Sequence, residues 1–182
     1  MGRIYQGPIK LVLFDVDGVL TDGSLHLDGA GEAIKTFNVR DGLAVGLLRA
    51  HGICSGVLSG KSSAALDYRV KQLKFDVVVT GRLEKREAYA EIQREQGLSD
   101  AEIIYVGDDV VDIPLIGLVA RFYAPADAHE LVAQSADHVL KICGGQGVAR
   151  ELAEHILLGD GLTMEQIYAP LIGQWSRHDA IQ

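Results

Sequence analysis

Short apolar runs alternate with helix-like stretches along this chain, and that alternation constrains its fold more than any other feature. Residues 9–14, 53–58, 77–79, 103–106, 120–123 and 138–140 read as buried strands. Between them, residues 43–50, 62–73, 82–96, 111–118, 128–134 and 148–158 read as helices. Asp41 stands where it can cap the first helix, while Gly52 and Gly97 stand where helix ends favour glycine. Strands alternating with helices predict an α/β fold with a doubly wound, mostly parallel sheet. Ligands bind such sheets beyond the carboxyl ends of the strands.

One segment breaks the alternation. Residues 24–27 and 33–39 read as two strands around Asp28-Gly29, a hairpin signal. An isolated hairpin is marginal in water, so this insertion, about residues 24–40, reads either as a surface loop or as an element that packs on something outside its own chain, which favours an oligomer. The 182 residues fit one domain with a tail from about residue 160 to 182. In that tail Leu162, Ile167, Leu171, Ile172 and Trp175 suit a helix docked on its own domain or a partner.

The net charge of −8 argues against nucleic acid or an anionic membrane as the main partner. Cys54 and Cys143 make a poor disulfide framework and read as reduced thiols. No stretch resembles a signal peptide or an apolar run long enough to span a bilayer. The expected compartment is a reducing cytoplasm.

The chemistry concentrates at the strand ends. In LFDVDGVLTDG (13–23), Asp15 and Asp17 lie one residue apart at the end of the first strand. In a strand that spacing puts both carboxylates on one face, where they repel unless something neutralises them. A second acidic cluster, Gly107-Asp108-Asp109-Val110-Val111-Asp112, follows the strand at 103–106. Either cluster alone has a plain reading, with Asp109 capping a helix or Asp17-Gly18 making a turn. Together, at the ends of one parallel sheet, they call for a cation, and clustered oxygen ligands suit Mg²⁺. Ser59 ends the strand at 53–58 with a hydroxyl able to bond a phosphate oxygen, and Lys85 starts a helix after the strand at 77–79. Singly, such a serine is usually a turn residue and such a lysine is usually solvated.

The DxDG at 15–18, Ser59, Lys85 and the GDDxxD at 107–112 resemble, in order, the four motifs of the haloacid dehalogenase superfamily of phosphohydrolases. The resemblance implies a Rossmann-like fold in which Asp15 attacks phosphorus and Asp17 serves as acid and then base. It implies that Ser59 and Lys85 hold the phosphoryl group. Mg²⁺ would sit on Asp15, the Asp17 carbonyl and Asp108, with Asp109 and Asp112 orienting that shell. The chain leaves only the hairpin where many relatives insert a cap domain.

Residues 9–158 more closely resemble the 3-deoxy-D-manno-octulosonate 8-phosphate phosphatase family. The resemblance rests on DVDGVLTDG, KTFNVRDG (35–42), the GDD with Asp112, Ala126-Asp127-Ala128-His129, and GGQG (144–147) with Arg150-Glu151. It implies a sugar acid phosphate substrate on the way to lipopolysaccharide, and a homotetramer whose hairpins cover neighbouring sites. By the same resemblance, Asn38, Val39, Arg40, Asp41, Gly42, Gly60, Lys61 and Arg69 contact substrate. Lys61 replaces an arginine of the family, keeping the charge without the planar fork. Gly46 stands where a long basic contact is expected. Relatives acting on nine-carbon keto-deoxy sugar phosphates share the scaffold. Outside the family, a phospho-receiver module shares the strand-end acids and lysine but has no use for Asp17. A catalytically dead scaffold would not need the full motif set.

Overall fold

The structure, a computed structural model, describes residues 4–29 and 31–179. Strand β1 (Leu11–Phe14) lies at the centre of a six-stranded parallel sheet. The chain passes through a hairpin, β2 (His26–Asp28) and β3 (Gly31–Ile34), and then α1 (Val39–Ala50). It continues through β4 (Cys54–Leu58), α2 (Ala64–Leu73), β5 (Val77–Val79) and α3 (Lys85–Gln96). The second half adds β6 (Ile103–Val106), β7 (Arg121–Ala124), α4 (Glu130–Ser135), β8 (His138–Val139), α5 (Val148–Gly159) and α6 (Met164–Asp179). The strand order is β5-β4-β1-β6-β7-β8, and every neighbouring pair is parallel.

The apolar runs make strands because both faces of this sheet are covered. All four residues of β1 are buried: Val12 and Phe14 belong to the core shared with α1, α2, α5 and α6. Leu11 and Leu13 belong to the opposite core, shared with α3 and α4. Burying each such side chain stabilises the fold by about 1.5–3 kcal/mol. The chain winds outward from β1 through β4 and β5, then returns to the other side of β1 as β6. That reversal opens a crevice at the carboxyl end of β1, where Asp15 and Asp17 stand.

Several boundaries depart from the sequence expectation. Helix α1 begins four residues before residue 43, because Asn38, not Asp41, is its N-cap, accepting from the Arg40 amide at 3.0 Å. The expected helix over 111–118 is a 3₁₀ helix, Val110–Leu115. Pro114 removes a backbone donor there, and the reciprocal cap between Asp109 and Asp112 favours a tight turn. The hairpin strands are shorter than expected, because Lys35 turns inward and Asn38 already starts α1.

The tail forms α6, which buries Ile167 and Leu171 while Ile172 and Trp175 stay half exposed. Gly46 faces this helix: a Cβ there would lie 3.6 Å from the Leu171 side chain. A long basic residue at position 46 would therefore meet α6 rather than open solvent.

Candidate active site

Lys85, the first residue of α3, organises the crevice from below. Its ammonium is fully buried and reaches Asp15 Oδ2 at 2.7 Å, Asp112 Oδ1 at 2.5 Å and the Tyr105 hydroxyl at 2.8 Å. These contacts use all three of its donors. Tyr105 donates in turn to Asp112 Oδ1 at 2.7 Å. The second Asp112 oxygen accepts from the amides of Asp108 and Asp109, at 3.0 and 3.2 Å. Burial alone would depress the Lys85 ammonium, but Asp15 and Asp112 outweigh it and hold its pKa above the usual range. Burial and the same two carboxylates push the Tyr105 phenol far up, so it stays a hydroxyl donor.

Asp15 is held at the end of β1 by its own amide, which donates to Val106 O at 2.9 Å. Burial pushes its carboxyl above the usual range, and Lys85 pulls it back. Asp108 has the stronger shift, to about 8, from burial first and then from Asp15, Asp112 and Asp109. Its backbone carbonyl is fixed by the His129 amide at 2.8 Å, which gives the Ala126–His129 segment a structural task.

Oxygens of Asp15, Asp108 and Asp112 come within 4.8 Å of one another. Asp112 spends both oxygens on protein donors, whereas Asp108 Oδ1 is buried without a hydrogen-bond partner. An orphaned buried carboxylate oxygen beside a second carboxylate fits a hard divalent cation. The donor set points to Asp15 and Asp108 as direct ligands and to Asp112 as their support. Asp109 lines the same cleft and caps the 3₁₀ helix, accepting from Val110 N at 2.7 Å.

Gly18 lets these groups approach. Its φ is +82°, and a Cβ there would fall 1.9 Å from an Asp108 oxygen. Above the acids opens a cleft of about 370 Å³, bordered by Asp17, Ser59, Gly60, Lys61 and Leu83. Ser59 is buried, and its hydroxyl oxygen accepts from Lys61 N at 3.3 Å. The arrangement offers a nucleophilic carboxylate, a cation beside it, a hydroxyl, and a more exposed second carboxylate on one open cleft.

The remaining residues expected at the substrate lie elsewhere. Val39, Arg40, Gly42 and Arg69 border a separate open groove of about 560 Å³, together with Arg150. Arg69 is tied to Asn38 O at 3.0 Å and to Gln72 at 2.8 Å. Asn38 also bonds Gly145 O through its amide nitrogen at 3.1 Å. Asp41 is buried and caps α5 from α1, accepting from Ala149 N at 3.0 Å, and burial pushes its carboxyl up to about 6. It supplies the side-chain cap that Gly147, the α5 N-cap, lacks. The GGQG stretch is a tight link rather than an open phosphate cradle. Gly145 N bonds Val19 O at 3.0 Å, and a Cβ on Gly144 would lie 2.1 Å from Gly18 O.

Two site residues have no role assigned from the sequence. Tyr105 sits within the apolar strand at 103–106. Lys35 opens the KTFNVRDG stretch without a role of its own, yet its side chain is 2% exposed and its ammonium bonds Asp17 Oδ1.

Residues 62–152 match the family model of haloacid dehalogenase-like hydrolases. Over 153 residues the chain is 43% identical to the 3-deoxy-D-manno-octulosonate 8-phosphate phosphatase of Haemophilus influenzae, covering 84% of this chain and 85% of that protein. The cobalt-bound structure of the Haemophilus influenzae enzyme superimposes with a TM-score of 0.82 at 43% identity, over 85% of this chain and 90% of that one. The Moraxella catarrhalis phosphatase, solved with magnesium, phosphate and KDO, superimposes with a TM-score of 0.79 at 31% identity, over 82% of this chain and 86% of that one. With its motifs gathered on one cleft and its relatives matched over most of their length, the chain belongs to the 3-deoxy-D-manno-octulosonate 8-phosphate phosphatase family of haloacid dehalogenase-like hydrolases.

Proposed function

We propose that this protein is a Mg²⁺-dependent phosphomonoesterase that hydrolyses 3-deoxy-D-manno-octulosonate 8-phosphate to the sugar acid and phosphate, in lipopolysaccharide precursor synthesis. The observation that carries the reading is the buried Lys85 ammonium bridging Asp15 and Asp112 beneath a cleft where Asp108 keeps an unbonded oxygen. Magnesium held by Asp15, Asp108 and the Asp17 main-chain carbonyl supplies positive charge that offsets the crowded carboxylates and the phosphate.

Asp15 attacks phosphorus and forms an aspartyl-phosphate. Lys85 lies against the attacking carboxylate, where its charge offsets the negative charge spreading over the phosphoryl oxygens. The Ser59 hydroxyl bonds one of those oxygens. Asp17 gives a proton to the departing alcohol, then takes one from the water that releases phosphate. Asp109 and Asp112 hold the loop that carries Asp108. Lys61, exposed at the cleft rim, meets the sugar acid carboxylate.

The arginine groove shares no lining residue with the acidic cleft, and the hairpin exposes Leu25, Leu27 and Ile34. Both features support a homotetramer in which hairpins cover neighbouring sites and complete the sugar-binding walls. Light scattering at micromolar concentration is expected to report a tetramer, and a monomer there contradicts the borrowed wall. Both cysteines are free, and no helix among the described residues is long and apolar enough to cross a membrane. These observations support a cytoplasmic setting.

The substrate is tested by kcat/KM on a panel of eight-carbon and nine-carbon keto-deoxy sugar phosphates and hexose phosphates, with Mg²⁺ and with chelator. The eight-carbon ester is expected to lead by about tenfold or more, with activity lost on chelation. A lead for the nine-carbon ester moves the substrate to that class, and a lead for hexose phosphates overturns the sugar acid reading.

A further inference from the structure

Asp17 carries the proton in both halves of the proposed reaction, yet little in the cleft fixes its direction. Among the described residues its carboxylate has two contacts, both at Oδ1. One is the Lys35 ammonium; the other is the Thr21 hydroxyl at 3.5 Å, the limit of a useful hydrogen bond. Lys35 follows the last residue of β3, so the hairpin delivers it. Its side chain is 2% exposed and also reaches Glu32 at 3.2 Å. A buried ammonium is costly unless paired, and this one is paired to the acid that the phosphoryl-holding groups leave untouched. With Oδ1 engaged, Oδ2 has no hydrogen-bond partner among the described residues.

We propose that Lys35 is a positioning residue for proton transfer by Asp17: it clamps Oδ1 so that Oδ2 faces the reacting oxygens. When the bond between phosphorus and the ester oxygen breaks, its electron pair stays on the ester oxygen. The proton on Asp17 Oδ2 passes there, leaving a carboxylate beside the Lys35 ammonium. In the second half, water bonds to phosphorus and gives a proton to Oδ2, and the bond from phosphorus to Asp15 returns its electrons to the Asp15 carboxylate. The inference rests on the phosphatase reading, and it makes the hairpin part of the catalytic apparatus as well as a packing surface.

Leaving-group dependence tests it. An alkyl phosphate needs its leaving oxygen protonated, whereas p-nitrophenolate departs without help. The quantity to compare is kcat/KM, which reports phosphoryl transfer to Asp15 and not the later hydrolysis. For Lys35→Met, kcat/KM on 3-deoxy-D-manno-octulosonate 8-phosphate is expected to fall about 10²-fold. The loss on p-nitrophenyl phosphate is expected to be at least about tenfold smaller. Lys35→Arg, which keeps a cation at the same place, is expected to recover most of the loss on the alkyl ester. Equal losses on both esters, or no loss on either, overturn the assignment, as does a Lys35→Arg variant no better than Lys35→Met. If Lys35→Met fails to fold, Lys35→Gln carries the same comparison. Wild-type protein that hydrolyses neither ester overturns the phosphatase reading, and this inference with it.

Discussion

Replacing Asp15 by asparagine is expected to abolish phosphate release, by at least about 10³-fold in kcat, while leaving the protein folded. The amide oxygen of asparagine still accepts from the Val16 amide, which bonds Asp15 Oδ1 at 2.7 Å in the wild type. It is a poor nucleophile and forms no stable acyl phosphate. The effect on stability should run the other way. Burial holds the Asp15 carboxyl above its usual pKa, so its ionisation at neutral pH opposes folding. Lys85 keeps Asp112 and Tyr105 as partners in the variant. The thermal transition of Asp15→Asn at pH 8 should therefore match or exceed that of the wild type. An inactive variant that also melts early would show that Asp15 is a structural group. A variant that retains hydrolysis would remove Asp15 as nucleophile.

The second large effect belongs to Lys85. Lys85→Met keeps much of the side-chain volume but leaves Asp15 and Asp112 facing each other without their cation, in a fully buried place. Breaking one side of a buried ion pair costs about 3–5 kcal/mol, and activity should fall with it because no ammonium is left beside the phosphoryl group. The loss should depend on pH. Carboxyls whose folded-state pKa is raised bind protons that the unfolded chain has already released. Their folded form is thus favoured at low pH, and that advantage disappears as pH rises through the raised pKa. Asp15, held at about 6 with Lys85 pulling it down, rises further without that cation, so the window opens above the unfolded value of about 4 and extends past pH 6. The deficit in melting temperature of Lys85→Met should be small near pH 5 and large near pH 8. Adding Asp112→Asn should recover stability without recovering activity. A deficit independent of pH would mean that Lys85 acts by packing alone.

Much of the scaffold was legible because the central strands β1 and β6 are buried throughout and β4 and β7 from their second residue onward, which favours apolar runs. The acids at 15, 17, 108, 109 and 112 were legible for the opposite reason: either cluster alone has a plain reading, but two of them at the ends of one parallel sheet call for something that neutralises their charge. What the chain hid depends on contacts distant in sequence. Asp41 looks like the cap of its own helix, but its partner, the Ala149 amide, lies 108 residues away. Lys35 acquires its partner only when the hairpin folds back over the loop after β1, and no periodicity signals a lysine that turns inward. Arg40 and Arg69 line a groove separate from the cleft, and Arg69, carried on α2, is tied to Asn38 O at the start of α1 and to Gln72. Motif spacing carries no information about which way those guanidinium groups face. The 3₁₀ helix after β6 was missed for a local reason, since Pro114 weakens α-helix there.

The division of labour between Asp15 and Asp17 makes one reaction most informative, that of Asp17→Asn with p-nitrophenyl phosphate and Mg²⁺. The leaving group needs no proton, so Asp15 should still be phosphorylated, but the water that releases it lacks a base. Rapid mixing should give a burst of about one p-nitrophenolate per active site followed by slow turnover, and acid quenching should leave a phosphoryl group on the peptide containing Asp15. Steady hydrolysis without a burst, or phosphate recovered on any other residue, would contradict the account.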